Sequence, residues 1–143
     1  MKKKIIVLLL AFSVIFTVGI PAFAQKKPSG SQTNSGIHVL WVNTDTDTAS
    51  LNFSGDCAEC TSEIFGKEGT TKITATALLK RVDSNGTTTV KAWTGLSASG
   101  DTFYFDRNYY VSSGSTYEFE IDAKVYRNGK VESVSESDVA YCG

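Results

Sequence analysis

An all-β fold, built as a two-sheet sandwich of about seven or eight antiparallel strands, is what this sequence predicts. Three observations carry the prediction. Apolar and polar residues alternate over several segments, Asn-Gly pairs separate some of those segments, and no segment places apolar residues at helical spacing.

The chain opens ahead of any strand. Lys2, Lys3 and Lys4 precede residues 5–20, an apolar run of 16 residues broken only by Ser13, Thr17 and Gly19. Pro21-Ala22-Phe23-Ala24 closes the run with small residues in the A-x-A arrangement of a signal-peptidase site. The run is shorter than the roughly 20 residues a membrane span needs. Residues 1–24 are therefore expected to be a cleaved signal peptide, with no cysteine at the cleavage point to carry a lipid. Cleavage leaves 119 of the 143 residues, enough for one core, and loss of the three lysines takes the net charge from −1 to −4. That balance gives nucleic acid no basic footprint, and no basic amphipathic stretch suits a membrane surface. The expected product is a secreted monomer.

Residues 25–36, QKKPSGSQTNSG, are too polar to offset their ordering entropy and are expected to be a flexible leader. The folded domain is expected over residues 37–143. Ile37, Val39 and Trp41 suggest a first strand, and Ala49, Leu51 and Phe53 a second segment behind a loop at TDTDT, residues 44–48. Ile73, Ala75, Ala77 and Leu79 alternate with Lys72, Thr74, Thr76 and Leu78. Residues 90–93, and Phe103 with Phe105, supply further strands. The clearest run is Tyr117, Phe119, Ile121, Ala123 and Val125 interleaved with Glu118, Glu120, Asp122 and Lys124, one face apolar and one charged. Asn85-Gly86 and Asn128-Gly129 are type I′ hairpin signals, and residues 112–115 form another turn. Neither of the two prolines interrupts a run.

The second half of the chain carries a Thr-rich strand at residues 70–81, V-K-x-W at residues 90–93, Y-x-V-S-x-G-x-x-Y at residues 109–117 and A-K-V-Y-x-N-G-K at residues 123–130. On these pieces, over roughly residues 49–142, the sequence resembles a family of small secreted proteins of unknown function from Gram-positive, often gut-associated bacteria. The resemblance implies an immunoglobulin-like or fibronectin-like sandwich, secretion, and no catalytic residue.

Cys57-Ala58-Glu59-Cys60 has C-x-x-C spacing, but no helical pattern follows to lower a thiol pKa as redox enzymes require. Zinc would need further ligands, and only Cys142 and His38 are on offer. If Cys57 and Cys60 share an extended strand they stand roughly 10 Å apart, beyond disulfide reach. Cys142, ending the last strand, is left to bridge one of them. Cys60 is the favoured partner, because resembling sequences place a cysteine there and the alternation Ala58, Cys60, Ser62, Ile64 turns it to the apolar side; Cys57 is the alternative.

His38 falls between Ile37 and Val39 and is expected to face solvent, with no nucleophile elbow in the chain to use it. Glu118, Glu120 and Asp122 share one strand face, where lysines such as Lys72, Lys80 or Lys91 can neutralise them; a regular sheet face lacks the cleft that would split their pKa values for glycoside hydrolysis. Asp45 and Asp47 lack the glycine and distal glutamate of a known calcium loop and are expected to lie in a bare loop. No metal or other cofactor is expected. The aromatics Trp93, Tyr104, Tyr109, Tyr110 and Tyr126 are the candidate binding residues, able to stack on sugar rings or anchor a protein if they form one exposed patch. Two functions follow. One is a non-enzymatic secreted module that binds a glycan or protein at the cell envelope or in the surroundings. The alternative is a structural or host-facing accessory protein without a dedicated ligand site.

Overall fold

A computed structural model describes residues 41–143. The expected signal peptide, leader and His38 lie outside the described residues. Seven strands follow one another: β1 (Thr44–Ser54), β2 (Cys57–Gly66), β3 (Thr70–Asp83), β4 (Gly86–Ser99), β5 (Thr102–Tyr110), β6 (Ser115–Arg127) and β7 (Lys130–Cys142). They form two antiparallel sheets, β1-β2-β5 and β4-β3-β6-β7, packed as an all-β sandwich.

The alternation read from the sequence sets which side chains meet between the sheets. Tyr117, Phe119, Ile121, Ala123 and Val125 of β6 are buried, as are Ile73, Ala75, Ala77 and Leu79 of β3. Across from them lie Ala58, Cys60 and Ile64 of β2 and Phe103 and Phe105 of β5. Phe105 stacks on Phe119 at 5.7 Å, joining the two sheets at the centre. Each large side chain removed from water in this layer contributes about 1.5–3 kcal/mol.

Two local devices shape the corners. Tyr117 donates its hydroxyl hydrogen to the Ser112 carbonyl at 2.9 Å, tying the start of β6 back to the turn that precedes it. At the β6–β7 turn, Asn128 and Gly129 both take positive φ, 50° and 73°, as the type I′ expectation requires. The β3–β4 turn differs from expectation. There the Asp83 carboxylate accepts the Asn85 N–H at 2.9 Å, and Gly86 rather than Asn85 takes the positive φ. An aspartate able to capture the backbone two residues on shifts the turn by one position.

One boundary is corrected. Residues 44–48 are the first half of β1 instead of a loop, so Asp45 and Asp47 stand on a strand. Asp45 occupies an irregularity where the β1–β2 register shifts between Thr44 and Thr46. Ile37 and Val39 lie outside the described residues, and Trp41 precedes the strand.

Candidate functional site

The five candidate aromatics do not make one row. Trp93 and Tyr109 meet at the flank where edge strands β4 and β5 face each other, ring centroids 6.4 Å apart, with Trp93 also edge-on to Phe105 at 5.3 Å. Lys91 lies over both rings, 5.8 Å from Trp93 and 5.6 Å from Tyr109, and so does not reach the carboxylates of β6. Both rings are half-buried and close the sandwich. Tyr104 and Tyr110 are exposed on the outer face of β5, six residues and therefore about 20 Å apart. Tyr104 packs edge-on against Phe65 and borders a hollow of about 360 Å³ with Glu63 and Asp106. Of the five, only Tyr126 lies on the outer face of the four-stranded sheet, with Lys72 over its ring at 5.7 Å.

Tyr126 borders the larger concavity, a groove of about 710 Å³ across that outer face. Its floor follows from register. Ser97, Thr74, Lys124 and Ser133 form one row over four strands, and Thr76, Asp122 and Ser135 the next. Serine, threonine and glycine keep the floor low, while Tyr126, Lys72 and Lys124 rise from it. The bend comes from β4, where Thr94 and Gly95 together oppose the single residue Thr76, and Gly95 takes a φ of 69°. Such a bulge kinks an edge strand and raises its local twist. A glycine inside an apolar-polar run was the sequence signal for it. The groove therefore presents hydroxyls, one carboxylate, two ammonium groups and one aromatic ring. Glu120, farther along the same face, is tied to Lys80 at 2.7 Å, as expected of a solvated charged face.

The opposite flank, where β1 meets β7, is built from carboxylates. Glu132 accepts hydrogen bonds from the N–H groups of Val42 and Asn43 at 2.6 and 2.9 Å and from the Thr44 hydroxyl at 2.8 Å. Partial burial works against its charge, but these donors hold the Glu132 carboxyl below its ordinary range. Asp138 accepts the Leu51 N–H at 2.8 Å. Between these two clips sits Asp47, buried, with no hydrogen-bond partner on either oxygen.

The expected Cys60–Cys142 bridge is not formed, and all three cysteines are free thiols. Both residues face inward as alternation requires, but they lie at different heights. Cys142 Sγ stands 3.6 Å from the Gly55 carbonyl in the β1–β2 turn, whereas Cys60 pairs with Leu51, higher up the strand. Burial first, then nearby Cys57, pushes the Cys60 thiol up to about 12; burial and then Asp56 raise Cys142. Neither is a ready nucleophile.

With this geometry in hand, comparison with family models, curated proteins and solved structures returns no match.

Proposed function

We propose that this chain is an exported, non-enzymatic binding module that takes a glycan in the groove across the outer face of the four-stranded sheet. The observation that carries the reading is the lining of that groove. Hydroxyls of Thr74, Thr76, Ser97, Ser133 and Ser135, with Asp122 and Lys124 among them, match the donor and acceptor density of a sugar. Tyr126 supplies one ring for stacking. Export rests on the A-x-A site at Ala22 and Ala24 and on the resemblance to small secreted Gram-positive proteins. A concave site that is largely pre-formed needs little ordering on binding, which favours ligand capture over assembly.

The test is binding of the chain lacking residues 1–24 to a glycan panel and to isolated Gram-positive cell wall. Tyr126→Ala and Asp122→Ala should each weaken binding about tenfold, equivalent to about 1.4 kcal/mol. Tyr104→Ala and Tyr110→Ala should leave it unchanged. Equal binding by all four variants contradicts the groove assignment. The dispersal of the other four aromatics favours a second reading, an accessory protein without a ligand site, and absence of binding to the whole panel would select it.

A further inference from the structure

Among the described residues, Asp47 is the one carboxylate buried without compensation. It is 8 % exposed, and neither carboxylate oxygen has a hydrogen-bond partner. The Thr48 N–H favours its charged form but lacks hydrogen-bond geometry. Asp47 faces inward because it shares a strand face with Ala49, Leu51 and Phe53. Ser62, opposite Ala49 and so diagonal to Asp47, faces the same interior, and its buried hydroxyl is also unpartnered.

The charges around Asp47 share its sign. From β7 it feels the charge of Glu136, set between the clips Glu132 and Asp138, and from β6 that of Asp122. From β2 the inward titratable group is the Cys60 thiol, neutral at any ordinary pH. Among the described residues no cation pairs with Asp47 or Glu136, the one ion pair, Lys80–Glu120, lying on the outer face. A second charge beside a buried carboxylate makes joint ionisation costly, as does the absence of donors.

We propose that Asp47 makes the seam between β1 and β7 a proton-operated latch. With the proton on, Asp47 is neutral, gains an O–H donor facing the same interior as the Ser62 oxygen, and lets β1 lie against β7. With the proton off, an uncompensated anion faces Glu136 midway between the two clips, and β1 loosens while β3 and β6 stay packed. Burial first, then Glu136 and Asp122, pushes the Asp47 carboxyl up to about 7, which sets the switch near neutrality. The latch reaches the groove through one strand, because Ser133 and Ser135 line the groove from the other face of β7.

The experiment is hydrogen exchange of the full-length chain at pH 5.5 and pH 8.5, corrected for intrinsic exchange. In the wild type, protection of β1 amides should fall about tenfold between the two, with β3 and β6 remaining the better protected strands at both. Asp47→Asn should show equal β1 protection at both. Glu136→Gln removes a charge that raises the Asp47 carboxyl, so it should move the loosening to lower pH. A wild-type β1 that keeps its protection at pH 8.5, an Asp47→Asn chain that still loosens, or a Glu136→Gln transition at unchanged or higher pH would each overturn the latch.

Discussion

The two flanks of the sandwich meet the same problem with opposite chemistry. Where β4 faces β5, the gap between the sheets is filled by Trp93, Tyr109 and Phe105 under the Lys91 stem. Where β1 faces β7, carboxylates of Glu132 and Asp138 reach over and satisfy backbone N–H groups of the facing chain. Rings close a gap through area and shape, which titration does not touch at neutral pH. Carboxylates close it through charge-assisted hydrogen bonds, which depend on protonation and leave any carboxylate without donors, here Asp47, at a cost. The difference teaches that one flank of this fold is built to be indifferent to pH and the other is not.

The largest expected effect breaks the aromatic flank. Trp93→Ala removes the ring that touches both Phe105 and Tyr109 and should cost about 2–4 kcal/mol, somewhat less than a fully buried tryptophan. Urea unfolding should find the same loss at pH 5 and pH 8. A loss that changes between them would mean that this flank also carries a titrating group.

A smaller effect breaks the carboxylate flank. Glu132→Ala leaves the donors of Val42, Asn43 and Thr44 without their acceptor and should cost about 1–3 kcal/mol at pH 7. The sign with pH follows from its lowered carboxyl. The contribution is present above the unfolded value and is lost as pH falls through the folded one. Wild type and variant should therefore converge in stability once acid protonates Glu132 in the folded state. A gap that persists there would assign the loss to packing.

The smallest effect lies on the outer face, away from both flanks. Lys80→Ala breaks the partly buried pair with Glu120 and should cost about 0.2–1 kcal/mol, decreasing with salt. A loss as large as that of Trp93→Ala would mean that this face is covered by something other than water.

Most of the fold was legible because burial follows period two. The runs through Ile121 and Ala77 alternate without exception, and Asn128-Gly129 closes its hairpin in the expected conformation. What was hidden breaks that rule. Asp47 occupies an inward position of β1, so TDTDT looked like a loop when it is half a strand. Glu132, Glu136 and Asp138 take the inward positions of β7, where a sequence reading expects apolar residues. The partners of Glu132 and Asp138 are backbone groups some 90 residues away, which no local pattern encodes. The groove was half visible. Tyr126 and Asp122 were both marked, one as an aromatic and one as a solvated charge, but the bulge at Thr94-Gly95 that bends β4 beside them acts through the backbone. The dispersal of the aromatics was invisible for a related reason, since edge strands place half-inward rings on flanks.

The contrast between the flanks rests on Asp47, and the most direct measurement is unfolding free energy against pH from 5 to 8 for wild type and Asp47→Asn. The folded value near 7 lies above the ordinary value of 3.8, so the folded state holds the proton that the unfolded state releases. Stability is then full below the unfolded value and declines as pH rises through the folded one. Glu132 is already ionised throughout this window and adds no slope, and the comparison with Asp47→Asn cancels the contribution of His38, the only histidine. Between pH 5 and pH 8 wild type should lose on the order of 1–3 kcal/mol relative to Asp47→Asn, which should be the more stable of the two at pH 8. Parallel curves for the two proteins, or a wild type that gains stability relative to the variant as pH rises, would contradict the account.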